Sequence, residues 1–396
     1  MKIAFIIYNF SESKGGVERY AYDLARYLAR EDNQIHIFCH YLDAKTAENE
    51  PANVIFHQVP AAGPAAALKY LSFAANAEKM LRADRFDIIQ HFGRTYYRDN
   101  KKSPYITKQV YRVGSGCHWE YLKEQHPSMS NIFGRLIQYL NPRNQIIMHL
   151  ERKSFLASPD KKIIAISKKV KSEIQQYYNI PDHAIRIVYN GIDAARFNIG
   201  NREKYRKEAR AKEGFTDDNI VLLFVGSGFE RKGLRYAIEG LARLPEEKRA
   251  NLKLLVVGNG SIPKYQSLAK KLGIENQVVF AGAQSNIEKY YAAADIFLFP
   301  TLFEPFGTVC LEAMASGLPV ITTVIAGASE IITDAIDSFI IPKPSDTATI
   351  AEKILFLMDK VWRDNMGKAA ALTASKYSFE NNFRQVKEVY AEVLNS

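Results

Sequence analysis

The 396-residue sequence predicts an α/β protein of two successive units, each built on a parallel sheet covered by helices on both faces. Three observations predict it. Short, near-continuous apolar runs alternate with segments of helical period along the whole chain. A glycine-bearing turn follows the first strand of each series. The length also exceeds what one ordinary core fills, so two domains are expected.

The elements follow in order. Residues 3–8 read as a strand, Lys14-Gly15-Gly16 as a turn, and Val17, Tyr20, Ala21, Leu24 and Leu28 as the inner face of a helix. Gln34–Cys39 and residues 88–91, 110–113 and 162–166 resume as strands, the last ending at Ser167 before a lysine-rich helix. Asn190-Gly191-Ile192-Asp193 has turn chemistry, and a polar, charged stretch covers 198–218. A second strand series then runs through Ile220–Val225, Leu252–Val257, 278–280, 296–300, 319–322 and Phe339–Ile341. The join falls near 190–200, giving a first domain of residues 1–190.

Composition bounds the class. At 47% hydrophobic and 24% charged residues the chain reads as a globular enzyme. No apolar stretch approaches the roughly 20 residues that span a bilayer. The opening MKIAFIIYNF runs directly into the glycine turn and reads as a first strand, not a signal peptide. Cys39, Cys117 and Cys310 are odd in number and far apart, which argues against a disulfide framework or zinc site and fits a reducing cytoplasm.

The net charge of +10 is uneven: residues 1–190 hold 27 Lys/Arg against 18 Asp/Glu, and residues 191–396 hold 26 against 25. The basic residues of the first half include Arg94, Arg98, Lys101, Lys102, Lys108 and Arg112, then Arg152, Lys153, Lys161, Lys162, Lys168, Lys169 and Lys171. Such a face suits a phosphorylated acceptor or an anionic membrane surface, or is simply solvated. No compact nucleic-acid module is present, and nucleic acid is not an expected partner.

Three segments carry chemistry. Lys14-Gly15-Gly16-Val17-Glu18-Arg19 joins a strand to a helix, either to bring backbone close to an anion or as a plain turn. It is not G-x-G-x-x-G, so no dinucleotide cofactor is expected. Gly226 to Gly233 places Arg231 and Lys232 on a second such loop, where cations can neutralise a diphosphate; it is not a Walker A loop. Glu304-Pro305-Phe306-Gly307-Thr308-Val309-Cys310-Leu311-Glu312 sets two carboxylates around a helix start, with Leu311, Met314 and Ala315 on its inner side and a stop near Gly317 and Pro319. Unpaired N–H groups at such a start suit phosphate, and flanking carboxylates accept hydrogen bonds from sugar hydroxyls.

Read together, these motifs resemble the retaining GT-B glycosyltransferases of family 4, over almost the whole chain. The resemblance rests on Gly15-Gly16, Tyr189-Asn190-Gly191-Ile192-Asp193, Arg231-Lys232-Gly233, Tyr290-Tyr291-Ala292-Ala293-Ala294-Asp295, Phe299-Pro300, Glu304-Pro305-Phe306-Gly307 and the run from Glu312 to Val320. Within the family the 226–233 loop is most similar to the lipopolysaccharide-core glucosyltransferase I subgroup. The resemblance implies two Rossmann-like domains facing a central cleft: an acceptor-binding domain of residues 1–190, a nucleotide-sugar-binding domain of residues 191–375, and a terminal helix within 376–396 crossing back onto the first.

By the same resemblance, Arg231 and Lys232 bind the diphosphate together with the backbone of Gly15 and Gly16. Glu304 contacts the transferred sugar, assisted by the N–H groups of Phe306, Gly307, Thr308 and Val309. Glu312 accepts from the ribose, and the backbone at Ala283 and Ile287 faces the base. His118, in Gly116-Cys117-His118-Trp119, either hydrogen-bonds a sugar hydroxyl or is a structural histidine beside Trp119. Asp99, Glu18 and Arg19 are acceptor-side candidates. Many relatives carry an arginine where this chain has Ser227-Gly228, so Arg231 must supply the second cation.

The activity implied is hexosyl transfer, glucose foremost, from a UDP-sugar to a cell-envelope glycan or lipid such as lipopolysaccharide inner-core heptose, with retained anomeric configuration. The site would be cytoplasmic and peripheral on the inner membrane. No Asp-x-Asp and no metal-ligand spacing occur, so metal independence is expected. A family 4 mannosyltransferase acting on a lipid-linked acceptor and a non-catalytic nucleotide-sugar-binding protein are the alternatives.

Overall fold

The computed structural model describes residues 1–12, 15–48, 50–97, 107–125, 132–156 and 161–396. Lys14, Arg98, Asp99, Lys101 and Lys102 lie outside these described residues. The chain forms two compact units, Met1–Tyr189 together with Asn382–Ser396, and Asn190–Asn381. Among the described residues no helix is long and apolar enough to cross a membrane.

The first unit runs β1 (Lys2–Ile6), β2 (Asn9–Phe10), α1 (Gly16–Ala29), β3 (Gln34–Cys39), β4 (Tyr41–Leu42), α2 (Ala44–Glu48), β5 (Val54–Gln58), α3 (Ala66–Leu81), β6 (Ile88–Phe92), β7 (Lys108–Val113), α4 (His118–Gln125), α5 (Ile132–Leu140), α6 (Pro142–Leu156), β8 (Lys162–Ala165), α7 (Lys168–Tyr178) and β9 (Ile185–Ile187). Seven of these strands form one parallel sheet in the order β5-β3-β1-β6-β7-β8-β9, with Ile3 opposite both Ile35 and Ile88.

Two central strands of this sheet, β6 and β7, bury polar residues: Gln90, His91, Gln109 and Arg112. Buried polar groups need partners, and the chain terminus supplies the one for Gln90. The Tyr390 hydroxyl donates to Gln90 Oε1 at 3.1 Å, and the Tyr20 hydroxyl donates to Asn382 Oδ1 at 2.8 Å. The Arg112 guanidinium lies 3.5 Å from the Tyr20 ring centroid. Phe383 packs against Tyr20 and Tyr27. Residues 382–396 therefore complete the core of the first unit.

The second unit runs α8 (Asn201–Lys212), β10 (Ile220–Val225), α9 (Leu234–Ala242), α10 (Glu246–Arg249), β11 (Leu252–Val257), α11 (Ile262–Lys271), β12 (Val278–Gly282), α12 (Ile287–Ala293), β13 (Ile296–Phe299), α13 (Thr308–Ala315), β14 (Val320–Thr323), β15 (Phe339–Ile341), α14 (Thr347–Met358), α15 (Lys360–Ala374) and the start of α16 (Phe379–Leu394). Its six strands pair in parallel in the order β12-β11-β10-β13-β14-β15. Side chains such as Phe224, Phe297 and Phe299 are wholly buried, as near-continuous apolar strands require.

The polar stretch 198–218 holds α8. Arg202, Arg206 and Arg210 recur every fourth residue and so share one face. All three reach the Asp295 carboxylate, at 3.2, 2.6 and 2.5 Å. They also donate to the carbonyls of Ala292, Ala293 and Ala294 at the end of α12, where the helix dipole favours positive charge. Burial works to raise the Asp295 carboxyl, but Arg206 and Arg210 outweigh it and hold it below its ordinary value.

Candidate active site

Chain order reverses between the neighbouring strands β10 and β13 of the second sheet. Loops leaving the carboxyl ends of two such strands diverge and leave a crevice, where ligands of open α/β sheets bind. Here those loops are 226–233 and 300–307, the two that carry Arg231, Lys232 and Glu304.

Close backbone packing fixes the first loop against the second. Gly233 has φ 79°, and a Cβ there would lie 1.8 Å from the Pro300 carbonyl oxygen. The Arg231 carbonyl accepts from the Leu302 N–H at 2.9 Å and from the Thr301 hydroxyl at 3.0 Å. With its backbone clamped this way, Arg231 donates Nη1 to the Phe303 carbonyl at 2.8 Å and lies 3.4 Å from the Glu304 carboxylate. The Lys232 ammonium donates to the same Glu304 oxygen, and it stands 5.0 Å from the Phe299 ring centroid.

The cluster thus holds two cations around one carboxylate and carries a net positive charge. Burial pushes the Lys232 ammonium below its ordinary value, while Glu304 opposes that shift. A site of this kind favours an incoming anion, because a diphosphate would complete the charge balance of cations already partly stripped of water.

The segment from Glu304 to Glu312 is pinned on its other side. The Glu304 carbonyl accepts from the Gly327 N–H at 3.0 Å, and the Phe306 carbonyl from the Ala328 N–H at 2.6 Å. Gly307, with φ 96°, precedes α13, and no side chain caps that helix. The Thr308 hydroxyl accepts from Asn190 Nδ2 at 3.0 Å. α13 buries Leu311 and Met314, with Cys310 and Ala313 inward in place of the expected Ala315, and ends before Gly317. The buried Tyr291 hydroxyl donates to Glu312 at 2.7 Å and to the Val309 carbonyl at 3.3 Å. Burial and the Glu312 charge raise that hydroxyl well above its ordinary pKa. Ala283 is exposed just beyond β12, and Ile287 opens α12 one turn before Tyr291.

The second unit therefore brings Arg231, Lys232 and Glu304 into contact, next to the start of α13 with Phe306, Gly307 and Thr308. Gly15, Gly16 and His118 belong to the first unit. Gly15, with φ 50° and ψ 160°, precedes α1; a Cβ there would lie 2.3 Å from the Glu18 carboxylate, whereas one at Gly16 would meet open space. Arg19 is bound locally to Asp23 at 2.9 Å and to Glu12 at 3.3 Å.

His118 opens α4 and is 6% exposed. Its Nε2 meets Asn144 Oδ1 at 3.1 Å, and burial lowers its pKa, so the ring is neutral at pH 7. Two buried carboxylates close the start of this helix. Glu151 accepts from the His118 N–H at 3.0 Å, the Tyr178 hydroxyl at 2.7 Å and Arg94 at 3.1 Å. Glu173 accepts from the Cys117 N–H at 3.0 Å, while its other oxygen has no hydrogen-bond partner among the described residues. Burial pushes the Glu173 carboxyl up to about 7. The sequence reading did not single out Glu151, Glu173 or Asn144; nothing local marks a buried carboxylate whose partners are distant in sequence.

Fold and site together define a GT-B glycosyltransferase of group 1, family 4, and the chain belongs to that family. Residues 205–373 match the family described as "Glycosyl transferases group 1", and residues 14–196 match "Glycosyltransferase Family 4". Among individual proteins, the chain is 28% identical to an uncharacterized glycosyltransferase of Methanocaldococcus jannaschii over 98% of both chains. It is 29% identical to the lipopolysaccharide glucosyltransferase WaaG of Escherichia coli, over 72% of this chain and 73% of that protein. The crystal structure of WaaG, a glycosyltransferase involved in lipopolysaccharide biosynthesis, superposes with a TM-score of 0.83 at 25% identity, covering 98% of this chain and 99% of that one.

Proposed function

We propose that this chain moves a hexose, glucose foremost, from a UDP-sugar to a cell-envelope glycan or glycolipid, with lipopolysaccharide inner-core heptose the leading acceptor. The observation that carries the reading is the Arg231–Lys232–Glu304 cluster beside the uncapped start of α13. The similarity to WaaG supports the choice of sugar and acceptor class.

In this reading Arg231 and Lys232 hold the diphosphate, and the N–H groups of Phe306, Gly307, Thr308 and Val309 face its anionic oxygens. Glu304 accepts from a hydroxyl of the transferred sugar and Glu312 from the ribose, with Ala283 and Ile287 toward the base. The bond from the anomeric carbon to the diphosphate oxygen breaks, and the acceptor oxygen bonds that carbon on the same face. The acceptor proton passes to the departing phosphate oxygen. Cations and backbone dipoles stabilise the charge developing on the leaving group, so electrostatics supply most of the rate. No metal takes part. His118 holds a sugar hydroxyl as a neutral ring. The basic residues of the first unit place the enzyme at the cytoplasmic face of an anionic membrane.

Release of UDP from a panel of nucleotide sugars, with and without cell-envelope extract, tests this reading. UDP-glucose should be turned over, extract should stimulate release, and the product should keep its anomeric configuration by NMR. No release from any UDP-sugar in the presence of extract would overturn it. A chelator-induced loss restored by manganese would overturn metal independence. Activity lost in His118→Ala and partly restored in His118→Asn would support the hydroxyl contact; unchanged activity in both would remove it.

A further inference from the structure

We infer that Asn144 is a positioning residue for His118: it holds the ring as its Nε2–H tautomer and leaves Nδ1 as the nitrogen that accepts a hydrogen bond from a sugar hydroxyl. The inference rests on the sugar contact proposed for His118. It names the atom that makes that contact and the residue that selects the atom.

The chain of cause starts at a proline. α5 ends at Leu140, so the Gln138 carbonyl is among the last of its helix and needs a partner from outside. The residue four positions on is Pro142, which has no N–H to give. Asn144, in the first turn of α6, supplies the donor instead. Its Nδ2 lies 3.0 Å from the Gln138 carbonyl oxygen and 3.0 Å from Gln138 Oε1. A backbone carbonyl can only accept, so the Asn144 amide cannot turn round without setting two oxygens against each other.

That orientation leaves Asn144 Oδ1 facing His118. Oδ1 can only accept, and His118 Nε2 lies 3.1 Å from it, so the proton of the neutral ring sits on Nε2. Both side chains are buried, and the opposite tautomer would press two lone pairs together where water cannot intervene. Nδ1 then carries the free lone pair. It has no hydrogen-bond partner among the described residues and is not one of their sealed polar atoms, so a ligand can reach it.

The same helix holds the main chain of the histidine. Glu151, two turns further along α6, accepts the His118 N–H on both oxygens, at 3.1 and 3.0 Å. α6 therefore fixes His118 at its backbone and at its ring, and Nδ1 is what remains to meet a substrate. The Tyr121 ring stacks 5.9 Å from the imidazole on the exposed side of α4. The charges acting on the ring are Arg94 and Arg143 on one side of the balance and Glu151 on the other, so they oppose each other.

The test reads the ring directly. Long-range proton–nitrogen correlation spectra of the full chain with isotope-labelled histidine identify His118 by the signals that vanish in His118→Asn. In wild type at neutral pH, Nε2 should carry the proton and Nδ1 none. A proton on Nδ1, or an average of the two tautomers, overturns the inference without any variant. Asn144→Leu keeps the volume and removes the acceptor. It should average the two nitrogen signals and lower UDP release from UDP-glucose with extract on the order of fivefold, the worth of one hydrogen bond, with affinity for UDP alone unchanged. Asn144→Asp keeps an acceptor opposite Nε2, so it should retain the wild-type tautomer and recover part of the rate. Its charge favours the imidazolium, so the acid limb of the rate profile should move to higher pH. A ring still locked as Nε2–H in Asn144→Leu, or a full rate with the tautomers averaged, overturns the role of Asn144. Should Asn144→Leu melt early, the wild-type spectrum and the Asn144→Asp profile decide. An Nε2–H ring without UDP release would sink the transferase reading and leave the tautomer standing; release with the proton on Nδ1 would do the reverse.

Discussion

Lys232 and Glu304 meet as an ion pair across 72 residues of sequence, each side chain mostly shielded from water. Neither loop could hold this geometry alone. Gly233 presses one loop onto Pro300, and the Gly327 and Ala328 N–H groups fasten the other. With Arg231 3.4 Å from the same carboxylate, the cluster is organised before any anion arrives.

Glu304→Gln keeps the shape and removes the charge. UDP release should fall on the order of 10²- to 10³-fold, as for loss of a pre-positioned polar group in a reacting site. UDP affinity should hold or tighten, because Lys232 and Arg231 lose their competing carboxylate. Lys232→Ala should instead weaken UDP binding. Calorimetry with UDP beside initial rates reads both effects, and wild-type turnover in Glu304→Gln would remove this residue from the mechanism.

The Gly233→Ala variant tests the clamp. Its methyl would face the Pro300 oxygen at 1.8 Å on a backbone with φ 79°, so β13 and the loop cannot both keep their places. Expected are a stability loss of about 1–3 kcal/mol and a larger loss of UDP affinity than Gly228→Ala gives, since a Cβ at Gly228 meets open space. Urea unfolding and UDP titration of the two variants make the comparison; equal behaviour would mean the close contact does not set the loop.

Much of this arrangement was legible in the sequence, for a physical reason. Strands covered on both faces must be apolar throughout, so Ile220–Val225 and Leu252–Val257 stood out, and glycines marked the turns between strand and helix. β5 and β9 did not stand out, being short and partly exposed; β6 and β7 were legible as strands at 88–91 and 110–113 although Gln90, His91, Gln109 and Arg112 dilute their apolar pattern. Arg231, Lys232 and Glu304 were recognisable separately as candidates, but not as one contact, because no local pattern encodes a pairing across 72 residues. α8 was hidden by polarity; the signal available was its arginines at every fourth position, which needed Asp295 as a partner to acquire meaning.

Asp295 is where that partner can be tested. Asp295→Ala leaves Arg202, Arg206 and Arg210 facing one another without their carboxylate, at a cost of about 3–5 kcal/mol. The carboxyl is held below its ordinary value in the fold, so its contribution is present above the unfolded pKa and fades as pH falls through the lower folded value. Urea midpoints should therefore drop at neutral pH in the variant, and wild type should approach the variant in strong acid. A variant as stable as wild type at pH 7 would show that the arginines are satisfied by the Ala292–Ala294 carbonyls alone.

Glu173 carries the opposite sign. Its carboxyl is raised from 4.5 to about 7 by burial, with the Cys117 N–H opposing, and one oxygen lacks a partner. The folded state therefore keeps a proton that the unfolded chain has already released, and the stability tied to that proton is full below pH 4.5 and is lost as pH rises through about 7. A shift of this size corresponds to about 3 kcal/mol between the two ends of that window. Glu173→Gln retains an acceptor for the Cys117 N–H and cannot ionise. It should flatten the stability profile between those two pH values and leave the protein more stable than wild type above about pH 7. Denaturant unfolding of both proteins across the window decides the matter: a wild-type slope that survives unchanged in Glu173→Gln would assign the titration to another group.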